Sequence, residues 1–286
     1  MATNNLITNA NFTREEQHFF INSTEIPGVQ SIEATSEINS VPLVYIGMTG
    51  ISYIPVGPQQ GQVSINALLI SNDQFIDFTG KHGVNGYILK KQTNTGDNFG
   101  FTSGYLTSYS STCSIGQIPQ IGAQFLVVGN IGKIDSSEAS SVITNFTSIT
   151  GATSTLALKI ADPGSMTISL SDFDTNRVQS YSLNINVPRQ VNYILGDRYP
   201  NSVEINYPMQ VSLDFTVDYN DYVTKSIRDF PFNDKIRNIT LVHKNLEDSS
   251  TISTFAFTGM QLTSERYATD VNGSVTLTAK YQTFLN

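Results

Sequence analysis

The sequence contains no tryptophan, a single cysteine and few charged residues. Charged side chains make up 14% of the chain, well below the roughly 25% typical of soluble proteins. Because Cys113 has no partner in the chain, an internal disulfide is impossible, and a small secreted scaffold held by disulfides is excluded. The lack of tryptophan and the scattering of the 13 tyrosines give no signature of a carbohydrate-binding platform.

Long apolar runs are also missing. The longest, residues 67–70 and 125–128, are far shorter than the roughly 20 residues that a membrane-spanning helix needs. The N-terminal segment, from Met1 to Gln17, has neither the basic start nor the apolar stretch of a secretory signal. We therefore expect no membrane binding and no export through a general secretory pathway.

The charge balance is acidic, with a formal net charge of -8 and an isoelectric point near 4.8. A protein that holds nucleic acid by neutralising phosphates needs clustered Lys and Arg, and here the basic residues are scattered. An acidic surface repels phosphate, so this charge remains compatible with a wall past which DNA slides without sticking.

Polar and apolar residues alternate in several segments, most clearly in residues 62–68, 210–217 and 273–284. A period of two is typical of a strand with one buried face. The pair Asn272-Gly273 favours a tight turn, so residues 262–269 and 275–284 are predicted to pair as a hairpin. The sequence therefore predicts an all-β protein.

Short segments recur in the same order along the chain. Residues 29–31 recur as residues 178–180, residues 62–66 match residues 210–214 at a separation of 148, and residues 106–108 match residues 262–264 at a separation of 156. These matches predict two tandem, diverged copies of one small β-sandwich or barrel domain. The change in separation predicts an eight-residue insertion between Asp221 and Phe257 in the second copy.

The predicted organisation has four parts, namely an N-terminal arm (residues 1–27), a first β-domain (28–135), a linker (136–154) and a second β-domain (155–286). Each domain is expected to contain one short helix, at residues 74–78 in the first copy and around Val223, Ile227 and Phe230 in the second. A short helix at residues 137–146 and a hairpin at residues 155–170 are predicted between the copies.

Catalytic and metal-binding patterns are absent from the sequence. His18, His82 and His243 stand apart from each other and from carboxylates at metal spacing, so we expect exposed or interface histidines. Cys113 is expected to be a small buried or half-buried apolar residue rather than a nucleophile. The sequence therefore predicts no enzyme, with no catalytic, cofactor-binding or metal-binding residues and no cofactor.

Two local patterns resemble known ligand-binding loops but lack residues that such loops need. Residues 129–134 lack the spacing between glycines and the final Ser or Thr of a phosphate-binding loop. Residues 172–176 begin like a calcium loop, but Arg177 stands where glycine is needed and no glutamate closes the ring. We interpret the first as a strand ending in a turn and the second as an ordinary polar turn.

The chain resembles the tail tube proteins of bacteriophages in segments from both copies, namely residues 27–32, 104–109, 116–119 and 259–264. The resemblance implies a β-sandwich with one short helix that stacks as rings, in which the inner strands form a barrel around a DNA channel. The duplicated form resembles the trimeric, pseudo-hexameric tubes of some long-tailed phages, and also leaves open a related collar, hub or baseplate ring protein.

The leading hypothesis is accordingly a virion structural protein that is made in the host cytoplasm and located in the phage tail. Its expected partners are further copies of itself, as homotrimer rings or a stacked tube, other virion proteins, and DNA passing non-specifically through the lumen. It predicts a long inward-facing hairpin in each copy. The alternative is a β-rich binding module such as a phage adhesin, receptor-binding or baseplate protein.

Overall fold

The protein is described here by a computed structural model that covers residues 17–22, 24–37, 40–44, 46–47, 49–55, 60–70, 73–80, 82–90, 98–134, 166–170, 173–175, 177–195, 197, 199–218, 236–245, 247–269 and 275–286. We call residues 17–134 the first half and residues 166–286 the second half. Both halves are built of β-strands, and the expected all-β class is confirmed.

The strands follow one another in a similar order in each half. The first half contains β1 (Gln17–Ile21), β2 (Thr24–Glu25), β3 (Val29–Glu37), β4 (Ser40–Leu43), β5 (Ser52–Pro55), β6 (Gln60–Leu68), a 3₁₀ helix (Ile76–Thr79), β7 (Val84–Lys90), β8 (Asn98–Ser114), β9 (Gln120–Val127) and β10 (Ile131–Ile134). The second half contains β11 (Thr167–Leu170), β12 (Phe173–Thr175), β13 (Val178–Asn186), β14 (Arg189–Asn192), β15 (Ser202–Ile205), β16 (Met209–Asp218), β17 (Ile236–Lys244), β18 (Thr251–Ala268) and β19 (Thr276–Leu285).

Apart from β10, which pairs with the start of β8, hydrogen bonding orders the strands of the main sheet in the same way in the two halves. The first half reads β2-β1-β7-β8-β9-β6-β3, and the second half reads β12-β11-β17-β18-β19-β16-β13. All these pairings are antiparallel. Two small hairpins, β4-β5 and β14-β15, lie outside the main sheet at the corresponding place in each half.

The long strands β8 and β18 each belong to two layers. The first part of β8 pairs with β7, and its later part pairs with β9. Ser103 has a φ of 53°, and at the corresponding place in β18 Gly259 has a φ of 68°. Such left-handed residues turn the strand, because two successive residues no longer project to opposite sides. Each half is therefore a sandwich whose two layers share one strand.

Buried apolar side chains form one continuous core between the layers. Phe101 of the early part of β8 packs on Phe125 of β9, with ring centroids 5.8 Å apart. Tyr109 of the first half packs on Phe255 of the second at 6.2 Å. The halves thus share packing as well as hydrogen bonds.

Several local expectations are confirmed by the described strands. Val63, Ile65 and Ala67 are buried while Gln62 and Asn66 are exposed, as alternation predicts. The hairpin at the C-terminal end is present as β18 and β19, although β18 begins at Thr251, well before the predicted start, and Val275 is exposed at 39%. The short helix of the first copy is the 3₁₀ turn that ends before Gly80.

Other expectations fall partly or wholly outside the described residues. These are the second-copy helix, the helix at residues 137–146, the hairpin at residues 155–170 and the inserted loop. β1 and β2 lie in the predicted N-terminal arm, yet β1 pairs with β7 of the first half and β2 pairs with β1.

Candidate assembly interface

The two halves are joined by one strand pair, β8 with β13. Seven residue pairs connect them, from Ser114 opposite Ser180 to Ser108 opposite Asn186. Backbone bonds extend the contact at both ends, from the Ile115 amide to the Gln179 carbonyl at 3.0 Å and from the Val187 amide to the Thr107 carbonyl at 2.8 Å. The main sheet therefore runs without interruption from one half into the other.

The counterparts of the two edges that meet at this junction lie at the far ends of the sheet, where no described strand pairs with them. Among the described strands, β3 pairs with β6 alone, whereas its counterpart β13 pairs with both β16 and β8. Residues 264–268 of β18 pair with β19 alone, whereas the corresponding part of β8 pairs with both β9 and β13. Each chain thus presents one open edge of each kind.

Matched β-bulges fix which residues correspond. In the pairing of β3 with β6 the register shifts at Gln30, and in the pairing of β13 with β16 it shifts at Gln179, so these two glutamines correspond. A second pair of bulges lies at Thr107 of β8 and Thr263 of β18. Each of these threonine hydroxyls donates to a carbonyl of the next strand at 3.1 Å, that of Gln124 and that of Lys280. Corresponding residues of β3 and β13, and of β8 and β18, are counted from these bulges.

The remaining matched bulge uses an asparagine in each half. The Asn85 side-chain oxygen accepts the Ser103 amide at 2.9 Å, and the Asn238 oxygen accepts the Gly259 amide at 3.1 Å. The donating residues, Ser103 and Gly259, are the two left-handed residues of β8 and β18. In each half an asparagine oxygen accepts a backbone amide that the interrupted strand pairing leaves without a partner, so both bulges are stabilised in the same way.

Burial differs sharply between corresponding positions at closed and open edges. On β13, Tyr181, Leu183 and Ile185 are at most 3% exposed. The corresponding residues of β3 are Ile32, Ala34 and Ser36, of which the first two are half-buried and the third is exposed.

The open end of β18 shows the same contrast. On β8, Tyr109 and Ser111 are fully buried and Cys113 is 7% exposed. The corresponding residues of β18 are Glu265, Tyr267 and Thr269, which are half-buried or exposed, with Tyr267 at 47%. Inside the chain a second sheet edge covers these positions, and among the described strands neither open edge pairs with one.

Strands β3, β6, β9, β8, β13, β16, β19 and β18 form a continuous eight-stranded sheet, and one of its faces is mostly polar. It presents mainly Ser, Thr, Asn and Gln side chains, for example Ser64, Gln124, Ser108, Asn186 and Gln210, which lie opposite one another on successive strands. Its described charged residues are four carboxylates and two cations, namely Glu33, Glu37, Asp214, Asp218, Arg266 and Lys280. This face is thus weakly acidic and rich in short neutral side chains.

A chain of buried polar groups crosses the junction beneath that face. The Ser111 and Tyr181 hydroxyls are 2.9 Å apart, the Tyr181 hydroxyl is 2.8 Å from His243 Nε2, and His243 Nδ1 is 2.8 Å from the Ser253 hydroxyl. Burial lowers the pKa of His243 to about 4, so the imidazole is neutral at pH 7. The expectation of exposed or interface histidines is wrong for His243, which is 2% exposed because this network satisfies both ring nitrogens.

The other candidate residues lie apart from one another. His18 lies 2.6 Å from Glu25 of the neighbouring strand, and His82 is exposed. Burial raises the pKa of the Cys113 thiol, which disfavours the reactive thiolate. Tyr109 donates a hydrogen bond to Asp73, and burial raises the pKa of that carboxyl.

The two failed ligand patterns also have structural positions. Residues 129 and 130 form the turn between β9 and β10, so the interpretation as a strand that ends in a turn is confirmed. The interpretation of the second pattern as a polar turn is wrong for residues 173–175, because they pair with β11 as the short strand β12. Among the described residues, no three side chains of His, Cys, Asp or Glu gather as a metal site would require.

No protein-family model matches the chain, and no curated protein matches it. Within the described part of the chain, no helix has the length and apolar character needed to cross a bilayer. The sequence signals that pointed to this interface were the repeated segments, while the buried polar chain had no signal because its members are far apart in the sequence.

Proposed function

We propose that this chain is a virion structural protein of the tail tube type, whose two halves are diverged copies and whose copies close into rings around a DNA channel. The observation that carries the proposal is the pair of open edges, β3 and the end of β18, which correspond to the two edges that pair inside the chain. A contact between unlike surfaces repeats around a ring when its rotation closes.

The internal junction supplies a register for the contact between chains. If β18 of one chain pairs with β3 of the next as β8 pairs with β13, the matched bulges define which residues face each other. Arg266 then lies opposite Thr35, Glu265 opposite Ser36 and Tyr267 opposite Ala34. On the same face, Glu33 and Glu37 then flank Arg266 as diagonal neighbours. The proposed contact therefore joins a cation to two carboxylates.

The polar face supports the channel. In a closed ring, eight strands from each of three chains give roughly 24 strands, and at a spacing of about 4.8 Å and a tilt of about 40° the backbone diameter is roughly 50 Å. The apolar core lies on the other side of the sheet, so the polar face lines the lumen. Short neutral side chains with a small excess of carboxylates give a wall that repels phosphate weakly and binds it poorly.

Light scattering on the purified chain, followed by negative-stain electron microscopy, tests the proposal. We expect a trimer or a larger multiple, with rings or tubes in the images. A stable monomer at high concentration would contradict self-assembly and favour the alternative of a monomeric binding module.

A matched pair of variants separates edge contact from general charge effects. Thr35→Arg places a second cation opposite Arg266 at the open edge, while Gln62→Arg places the same charge on the same face one strand further in, opposite Thr35. We expect the first to weaken chain association by roughly tenfold or more and the second to change it much less. Equal effects would contradict the proposed edge.

A further inference from the structure

The hairpin β14-β15 of the second half lies on the first half. Arg189 donates from Nε to the Leu106 carbonyl at 2.9 Å and from Nη2 to the Gly80 carbonyl at 2.8 Å. Its guanidinium lies 5.9 Å from the centroid of the Tyr105 ring. Burial lowers the pKa of Arg189, and these carbonyl partners compensate part of the lost hydration.

Two tyrosines near the tip of that hairpin add further contacts. The Tyr193 hydroxyl accepts from Gln60 Nε2 at 2.9 Å, and the Tyr199 hydroxyl donates to Asn130 Oδ1 at 3.5 Å. A cleft of about 300 Å³ remains between hairpin and first half, lined by Thr102, Tyr105, Val128, Tyr199, Asn201 and Val203. The β14-β15 hairpin of the second half therefore reaches across the junction and binds the first half.

The corresponding hairpin of the first half, β4-β5, has apolar residues on its surface. Leu43 and Val44 are 43% and 68% exposed, while Asn192 and Tyr193, which correspond to them in the second hairpin, are half-buried. Val41 is also exposed, at 52%. The surface that would cover this hairpin belongs to a preceding half, and the described residues contain none before the first half.

The receiving surface for such a hairpin is open on the second half. Val128, on the surface that receives β14-β15, is 5% exposed, whereas Phe284 at the corresponding position of the second half is 57% exposed. Gln261 and the Leu262 carbonyl likewise correspond to Tyr105 and to the Leu106 carbonyl that Arg189 contacts. Within the described part of the chain, the first half thus exposes a hairpin that is not docked and the second half a receiving surface that is not covered, both with apolar side chains.

We infer that the β4-β5 hairpin of one copy docks on the Gln261 and Phe284 surface of the next copy, as β14-β15 docks within the chain. This inference rests on the proposed ring and names a second contact beside the paired strand edges. The occupant is a second copy of this chain, because the internal junction already shows how a unit of this fold fills the surface. The interface then has an apolar part at the hairpin and a hydrogen-bonded part at the strands.

The test uses Val44→Asp on the hairpin, Phe284→Asp on the receiving surface and Leu195→Asp as the control. Leu195 is 103% exposed on the hairpin that is already docked, so its replacement leaves the contact untouched. Sedimentation velocity over a concentration series measures association, and circular dichroism checks that each variant is folded. We expect the first two variants to associate roughly tenfold or more weakly and the control to associate like the original chain.

Mixing the two weakened variants provides a second measurement. The Val44→Asp chain keeps its receiving surface and the Phe284→Asp chain keeps its hairpin, so a mixture should form one-to-one complexes that neither forms alone. Original-level association of both single variants would overturn the docking and leave the ring proposal standing. A monomeric original chain would overturn the ring proposal, and the docking with it.

Discussion

The hydroxyls of Ser111 and Tyr181 lie 2.9 Å apart and fully inside the junction between the two halves. The Tyr181 hydroxyl also bonds His243 Nε2 at 2.8 Å, so it is shared by strands from three places in the sequence. Hydrogen bonds in such a buried setting define which arrangement of neighbours satisfies every donor and acceptor. The junction therefore has a preferred register and is more than an apolar contact.

Removal of the shared hydroxyl should destabilise the folded chain. Tyr181→Phe leaves the Ser111 hydroxyl and one ring nitrogen of His243 without this partner, which we expect to cost about 1–3 kcal/mol in the free energy of unfolding. Tyr193→Phe, which removes a hydrogen bond at the surface, is the matched control and should lower the free energy of unfolding by only about a few tenths of a kcal/mol. Urea unfolding followed by circular dichroism measures both, and equal losses would contradict the role of the buried network.

The stability of the folded chain should depend on pH through His243. Its pKa is about 4 when folded and 6.5 when unfolded, so between these values the unfolded chain binds a proton that the folded chain does not. The free energy of unfolding therefore falls as the pH drops from 6.5 to about 4, by roughly 3 kcal/mol. His243→Gln should flatten this part of the profile, while His82→Gln, at an exposed position, should leave it unchanged.

Charge exchange across the open edges should test the proposed register. Arg266→Glu sets three carboxylates together in the contact, and we expect association to weaken by roughly tenfold or more. Combining it with Glu33→Arg and Glu37→Arg should restore association, because the pairing is then reversed. Lys280→Glu changes the net charge equally but lies one strand away, beside Asp214 at 3.6 Å. Failure of the triple variant to recover, judged by light scattering, would rule out this register.

The polar face should pass DNA without holding it. Assembled particles of the original chain are expected to retain no duplex DNA at physiological salt, since the face carries more carboxylates than cations. Ser64→Lys with Gln124→Lys should produce retention that weakens as salt rises, with a slope near −0.9 per phosphate neutralised. Thr254→Lys with Ala256→Lys, on the exposed side of the outer layer, is the control, and DNA retention by it would contradict the assignment of the lumen.

The period-two patterns were sufficient to predict the strands from the sequence, but they did not predict the register in which the strands pair. The sequence match pairs Ile65 with Leu213, yet Ile65 lies opposite Ala123 while Phe215, and not Leu213, lies opposite the corresponding Ala279. The structural correspondence between β6 and β16 therefore differs by two residues from the sequence match. A shift of two keeps every side chain on its own face, so the burial pattern that guides sequence analysis does not change.

Long-range relationships were equally hidden from the sequence. The residues between Ser111 and Tyr181 include the whole segment that connects the halves, and nothing local marks either residue as a partner. The burial of His243 follows from two neighbours, Tyr181 and Ser253, that meet it only in the folded sheet. By contrast, the hairpin of β18 and β19 depends on adjacent segments, and its turn signal was sufficient to predict it.

In the proposed ring, the strand pair β8-β13 would also determine how the assembly grows. Every second contact between halves would be made within one polypeptide, at an effective concentration in the millimolar range or above, and only the contacts in between would depend on collision of separate chains. Such a ring would grow by two halves at a time. It would contain an even number of halves, because covalent connection, rather than energy, forbids an odd number.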